Sequence, residues 1–364
     1  MQRRQLYGKN HDVSWGFGSR IIDLPFEERT SLVEALPNYE DFFKLQEFFI
    51  QDEVKLSNSL ALTVGAKIER SEYVDWEFQP NIRVSWQPYE KTTLWASVSR
   101  AARTPSSGER GLKIRPSFII PSQSEINPGP IPVGVVFNGN RDFESEHLVA
   151  IEGGIKGSLT DRFEFDLALF DFSYKDLLSG KDSGVFCQPS MDEIFSNLSC
   201  IFESTHLIVD TNVVNKPSGS SKGAELAVNW NVTDNWRLKG SFSWFNYDLD
   251  EVPTSPNPAN YSDTNTDALD EPEWISYVRS EWTINNALEL DLTVRAVDES
   301  EIFAIESYTT ADLRLEWKPR ADLRFELIGQ NLLDRGHTEY GSRLLDALPS
   351  KVFSGVIARI TWAP

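Results

Sequence analysis

No run of about 18 apolar residues occurs in the 364-residue chain, so it contains no transmembrane helix. Basic residues are outnumbered by acidic ones, 35 to 55, which argues against nucleic acid as a partner because phosphate binding needs a basic patch. There are two cysteines, Cys187 and Cys200, in a turn-rich segment with no further Cys or His nearby. That spacing favours a loop disulfide over a metal site, with two separate buried thiols as the alternative. Only four histidines occur, His11, His147, His206 and His337, too far apart for a ligand set, so they read as solvated or interfacial. No phosphate-cradling glycine loop is present. Behind Met1-Gln2-Arg3-Arg4-Gln5-Leu6-Tyr7-Gly8 there is no apolar core of a secretory signal, which leaves either a cytoplasmic chain or one whose true N-terminus lies upstream.

Two motifs that are present fail on context. Gly219-Ser220-Ser221-Lys222-Gly223 matches a nucleophile elbow, but Glu225-Leu226-Ala227-Val228-Asn229-Trp230 behind it alternates like a strand where a helix is required. Asp263-Thr264-Asn265-Thr266-Asp267 opens like a calcium loop, yet Ala268 and Trp274 stand where that loop needs Gly and Glu. The carboxylates are too many and too evenly spread to nominate a catalytic pair. An enzyme is not expected, nor a cofactor or resident metal.

What the sequence does hold is aromatic residues, 22 Phe, 11 Trp and 10 Tyr, and a recurrent period of two. In Leu288–Val297, Leu288, Leu290, Leu292, Val294 and Ala296 alternate with Glu289, Asp291, Thr293 and Arg295. Side chains two apart share a face of a strand, so this is a strand with one greasy and one wet side. Ten residues are about what a tilted strand needs to cross a bilayer. The pattern repeats. The spacing predicts strands over 13–22, 43–56, 60–70, 77–87, 92–102, 144–157, 162–175, 206–231 with a break at Pro217–Ser221, 236–248, 273–283, 288–297, 305–317, 323–331 and 352–362, fourteen in all.

The links between these strands alternate. Short turns follow the second, fourth, sixth, eighth, tenth and twelfth strands. Long Pro/Gly/Asn-rich segments, above all 103–143, 176–205 and 249–270, follow the fifth, seventh and ninth. An antiparallel meander then puts the long loops at one end, the asymmetry of an outer-membrane barrel with short periplasmic turns and long extracellular loops. Soluble sandwiches have shorter strands and no such bias. Trp86, Trp236, Trp317 and Trp362 fall at the short-turn end, where an aromatic girdle meets the membrane interface. Lys67, Arg83, Arg237, Arg295, Arg314, Arg324 and Arg359 fall on the wet face, in a lumen that tolerates charge better than a dry core does.

Several segments resemble TonB-dependent outer-membrane receptors. Gly329-Gln330-Asn331-Leu332-Leu333-Asp334 with Tyr340 is similar to their Asn-Leu-x-Asp…Tyr segment, and Ser99-Arg100-Ala101-Ala102-Arg103-Thr104-Pro105-Ser106 to their Ser-Arg-x-x-Arg-x-Pro segment. Phe143-Glu144-Ser145-Glu146 through Glu152-Gly153-Gly154-Ile155-Lys156, Phe170–Leu177 and Gly223-Ala224-Glu225 resemble further strands of that barrel. Each motif is weak alone; their order and spacing, from about residue 10 to the end, carry the resemblance. The family chain ends in an aromatic residue used in barrel assembly, and Trp362 is the nearest match.

The resemblance implies a 22-stranded antiparallel transmembrane β-barrel around an N-terminal plug. Residues 1–364 would then be the C-terminal portion of the barrel, about 14 of 22 strands, without plug or first strands. It further implies a bacterial outer-membrane, monomeric receptor for TonB-energised uptake of a scarce small molecule such as a ferric siderophore. Its partners would be outer-membrane lipid and, through the plug, the TonB system. The ligand-contact candidates in the long loops are Arg103, Arg115, Phe118, Arg141 and Phe186, because basic and aromatic groups suit anionic catecholate-type ferric complexes. The rivals are a passive porin-like channel, if fourteen strands close by themselves, and a secreted β-rich binding domain.

Overall fold

The computed structural model describes residues 1–27, 32–37, 39–115, 131–194, 196–250, 271–300, 305–339 and 350–363. Along the chain the elements are β1 Gln2–Tyr7, β2 His11–Asp23, β3 Val33–Ala35, β4 Phe42–Lys55, β5 Leu60–Ser71, β6 Glu77–Tyr89 and β7 Thr92–Arg103. After these come helix α1 Ser107–Gly111, then β8 Leu112–Ile114, β9 Val133–Asn138, β10 Glu146–Thr160, β11 Phe163–Lys175 and β12 Leu178–Gln188. A 3-10 turn at Leu198–Glu203 precedes β13 His206–Asn215, β14 Gly219–Thr233, β15 Trp236–Leu249, β16 Trp274–Asn285 and β17 Leu288–Val297. The chain continues with β18 Tyr308–Arg320, β19 Leu323–Gln330, β20 His337–Thr338, β21 Lys351–Val352 and β22 Gly355–Trp362.

Fifteen of these strands form one antiparallel meander, in the order β1-β2-β4-β5-β6-β7-β10-β11-β14-β15-β16-β17-β18-β19-β22. The periodicity identifies fourteen of them. The fifteenth, β1, pairs with β2 from Gln2 opposite Gly16 to Tyr7 opposite His11. Gln2-Arg3-Arg4-Gln5 offers no apolar alternation, so only the pairing reveals it. Every connection at one end is a tight turn, such as 8–10, 56–59, 90–91 and 321–322, and every long one is at the other. β1 and β22 both run toward the short-turn end. Among the described residues they do not pair with each other, so the sheet is open.

The two faces differ as the alternation predicts. One exposes a lattice of aliphatic side chains, including Ile82, Val84, Val98, Ile151, Leu169, Val278, Leu292, Leu315, Leu327 and Ile360. Near the short-turn ends the same face carries exposed Trp86, Trp230, Trp236, Trp282, Trp317 and Trp362. Their depths match, since Trp236 stands opposite Trp282 in the ladder and Trp317 stacks on Phe325 at 5.4 Å. Exposed apolar area on this scale has no place in a water-soluble sandwich and is what lipid solvates. The other face is polar and concave, hollowed into cavities of about 730 and 690 Å³.

The structure departs from the sequence reading in the long connections. The segment 206–231 is not one interrupted strand: His206–Asn215 belongs to a second sheet, and Pro217 sits at the break between sheets. That second sheet, ordered β12-β13-β9-β8-β3, is assembled from the connections β2–β4, β7–β10 and β11–β14. Its β13–β9 pair is parallel, from Leu207 opposite Val133 to Asn212 opposite Asn138. Val133, Val185 and Val209 form its core, with Ile194 and Leu207 packed against them. This cap has its own hydrophobic core at the long-connection end of the wall.

Candidate ligand-binding mouth and lumen

The cap joins the wall through Glu146. One of its carboxylate oxygens pairs with the guanidinium of Arg103 at the end of β7; the other accepts the backbone N–H of Leu178, the first residue of β12, at 2.6 Å. Arg103 also reaches Glu109 in α1 at 2.9 Å. Ser106 and Glu109 form a reciprocal capping box that starts α1. Burial by itself would raise the Glu109 carboxyl, but Arg103 and the Ser106 N–H and hydroxyl outweigh it and hold the group below the usual range. Burial also lowers the Arg110 guanidinium, whose Nη1 donates to the carbonyls of Tyr73 and Phe143 at 3.1 and 2.8 Å. Asn215, closing β13, donates to the carbonyls of Glu144 and Asp176 and accepts from the Glu144 N–H. Cys187 at the end of β12 and Cys200 in the 3-10 turn form a disulfide, both residues being buried.

The candidate contact residues are therefore dispersed. Arg103 is clamped between two carboxylates. Arg115 lies just beyond β8 and pairs with Glu34 of β3 at 2.7 Å. Arg141 is exposed in the segment between β9 and β10. Phe186 lies on β12, its ring over Gly184. Phe118 lies outside the described residues, as do Tyr340 and the calcium-like stretch 263–267. No site gathers Arg103, Arg115, Arg141 and Phe186, and two of these arginines already have carboxylate partners.

The Asn331 segment is a chain reversal after β19. Asn331 adopts φ 52°, its N–H donates to Asp312 at 2.9 Å, and its side-chain oxygen accepts the Thr310 hydroxyl at 3.0 Å. A left-handed backbone suits Asn, whose side chain bonds locally. Leu332 N–H bonds the Ala311 carbonyl, while Asp334 accepts from the Gly336 N–H at 3.0 Å and pairs with His337 at 3.1 Å. His337 corrects the solvated-histidine reading: it is buried and stacked on Tyr308 at 4.1 Å. His147 is likewise drawn in, lying between Glu77 at 3.2 Å and Asp176 at 3.3 Å.

Inside the wall, charge is paired across strands. Lys239 and Arg279 meet Glu281 at 3.0 and 3.2 Å; Arg314 meets Asp291 and Glu326, both at 3.0 Å; Arg359 meets Glu326 at 3.4 Å. This ladder crosses from β15 to β22. Glu316, fully buried, sits among Arg314, Lys318 and Arg324. Lys67 pairs with Glu47 at 3.1 Å, Arg295 with Asp312 at 3.7 Å, and the Arg83 guanidinium lies 4.5 Å above the Trp95 ring. Ion pairs fill one part of the lumen wall. Serines and threonines such as Thr93, Ser97, Ser99, Ser241 and Ser243 line another.

Charge is also segregated by height. The long connections (24–41, 72–76, 104–145, 176–218, 250–273, 298–307 and 331–354) carry 31 acidic and 10 basic residues. The wall strands and their short turns carry the remaining 24 and 25. The whole negative excess thus belongs to the long-connection end. Among the described residues, no group of His, Cys, Asp and Glu side chains is arranged to hold a metal ion.

Comparison with known proteins gives a consistent picture. No curated sequence matches the chain. Solved structures do. The siderophore receptor PirA of Acinetobacter baumannii superposes with a TM-score of 0.66 at 14% identity, over 99% of this chain and 53% of that one. The ferric enterobactin receptor PfeA of Pseudomonas aeruginosa gives 0.65 at 16%, over 99% and 52%. The FrpB iron transporter of Neisseria meningitidis gives 0.64 at 14%, over 99% and 54%. The chain spans about half the length of each of these. At such identities the likeness establishes the fold. The family model for the TonB-dependent receptor-like β-barrel matches residues 2–332. The chain belongs to the TonB-dependent receptor β-barrel family, whose members are bacterial outer-membrane receptors and transporters, not enzymes.

Proposed function

We propose that this chain forms part of the wall of a monomeric outer-membrane receptor that imports a scarce small molecule, a ferric siderophore or similar iron chelate. In this reading the TonB system delivers energy to a plug domain seated against the concave face. The plug and the strands that complete the wall are supplied by polypeptide outside residues 1–364. The observation that carries the proposal is the cap. Three connections from one end of the wall fold into a second sheet with its own core and disulfide, a structure suited to holding a ligand at the mouth. The structural relatives, siderophore receptors and an iron transporter, point the same way.

The ligand class follows from charge. With Arg103 and Arg115 already neutralised and the long connections strongly acidic, a neutral or cationic chelate suits this mouth better than an anionic catecholate complex. The porin alternative is disfavoured by strand direction. β1 and β22 run the same way, so they cannot pair antiparallel with one another, or with those of a second copy. Open edges are not tolerated in lipid, so closure needs an odd number of further strands.

The test is capture. Cells carrying the chain together with the polypeptide that completes the wall should bind radioactive neutral ferric chelates above control cells, and the isolated chain should give no steady conductance in planar bilayers. A stable open-channel conductance would make it a porin, and a protein soluble without detergent would abolish the membrane assignment.

A further inference from the structure

Five aromatic rings cluster on the lumen face of β11 and β15, where a barrel wall is mostly polar. Phe170, Phe172 and Tyr174 share one side of β11, and Phe245 and Tyr247 share one side of β15. The strand between them, β14, has almost no side chains at this level. Gly223 stands between Phe170 and Phe245, Ser221 between Phe172 and Tyr247, and Gly219 opposite Tyr174. A Cβ at Gly223 would come within 2.4 Å of the Phe170 ring, so the ring lies directly over that glycine. Centroids are 4.8 Å apart for Phe170–Phe172, 6.0 Å for Phe170–Phe245 and 3.9 Å for Phe245–Tyr247. The Tyr174 and Ser221 hydroxyls are 3.0 Å apart. All five rings are only half-buried.

Their place is as informative as their chemistry. The same parity continues down β11 to Ala168 and Asp166, which line the lumen cavity of about 690 Å³. Upward, Tyr174 is followed at once by the chain that climbs into β12, and Gly219 receives the chain descending from β13. The rings therefore form a shelf between the cap and the lumen, on the route of anything passing from one to the other. Nearby groups on adjoining strands, Glu152 opposite Phe170 and Ala150 opposite Phe172, add no positive charge.

We propose that Phe170, Phe172, Tyr174, Phe245 and Tyr247 are a stacking shelf for flat aryl groups of the transported chelate. The proposal rests on the chelate-uptake reading and narrows it to aryl-bearing ligands. Stacking on a protein ring changes affinity by about tenfold or more.

The experiment uses the full chain in detergent micelles and two neutral probes with the same iron coordination, ferric tris(benzohydroxamate) and ferric tris(acetohydroxamate). Calorimetry is expected to give at least about tenfold tighter binding of the aryl complex. The double replacement Phe172→Leu/Phe245→Leu, which keeps apolar bulk and removes two rings, is expected to bring the aryl complex down to the affinity of the alkyl one. Each single replacement, checked for an unchanged circular dichroism spectrum, is expected to lose part of the preference. Equal binding of the two probes by the parent chain overturns the shelf and leaves chelate capture standing; the rings then pack against another polypeptide segment. A preference that survives in the double variant also overturns it. Binding of neither probe removes both the shelf and the chelate reading beneath it.

Discussion

Single residues at the lip do structural work that their sequence context only half discloses. The Ser-Arg-x-x-Arg-x-Pro resemblance marks Arg103, and its positive charge suggests an anion-binding role. Its actual partners, Glu109 and Glu146, come from 6 and 43 positions away and are visible only once β7, α1 and β10 are assembled. The clamp has a pH signature. Glu109 is held below its unfolded value, so it contributes stability that is fully present above that value, roughly pH 4.3 for a free Glu, and lost as pH falls through the lower folded value. Near-UV circular dichroism of the cap should therefore show acid loosening below about pH 4. In Glu109→Gln that pH dependence should flatten, with the cap less stable at neutral pH by about 1–3 kcal/mol, because Arg103 loses a charged partner. An unchanged acid profile in the variant would remove Glu109 from the clamp.

At the scale of elements, the long strands were legible because lipid on one side and a polar lumen on the other force a strict alternation. Leu288–Val297 was read residue for residue, and β5 to within a residue. Of the cap strands only β13 was legible, as the first part of the strand over 206–231, and the separate sheet it joins was not. β12 and β13 lie in a small two-sided sheet whose core is three valines, and β3 and β8 are three residues each. Apart from β13, these segments have no alternation long enough to stand out from loop. The cysteine pair was the signal for order around β12. Reduction, or Cys187→Ser/Cys200→Ser, should weaken the cap by about 2–4 kcal/mol, the usual worth of a disulfide closing a short loop. The wall should be untouched. Hydrogen exchange resolves the two: amides of β12 and β13 should lose protection while those of β14 and β15 keep theirs. Equal loss in both sheets would mean that cap and wall are one cooperative unit.

At the scale of the molecule, an aliphatic face of this extent is one that lipid solvates. Val98 and Ser97 are neighbours on β7 with opposite orientations: Val98 is 51% exposed on the outer face, and the Ser97 hydroxyl donates to Glu152 at 3.3 Å inside. Val98→Arg should destabilise the membrane-inserted state by about 2–4 kcal/mol, as a lipid-facing Arg at mid-bilayer does. Ser97→Arg, facing the lumen beside a carboxylate, should cost far less. Denaturant unfolding from phospholipid vesicles measures both, and the opposite ranking would invert the wall.

The amino-acid sequence alone determined the strand period, the two faces, the segregation of long links to one end and the aromatic girdle. All of these are local or near-local patterns that the bilayer imposes on every strand. Tertiary structure decided what depends on partners distant in the chain. It showed that three connections share one capping sheet, that Arg103 and Arg115 are neutralised, and that β1 is a wall strand. It also gathered rings from β11 and β15 over the glycines of β14. Such contacts join residues up to about a hundred positions apart, and no periodicity within a single strand encodes which strand will lie beside it.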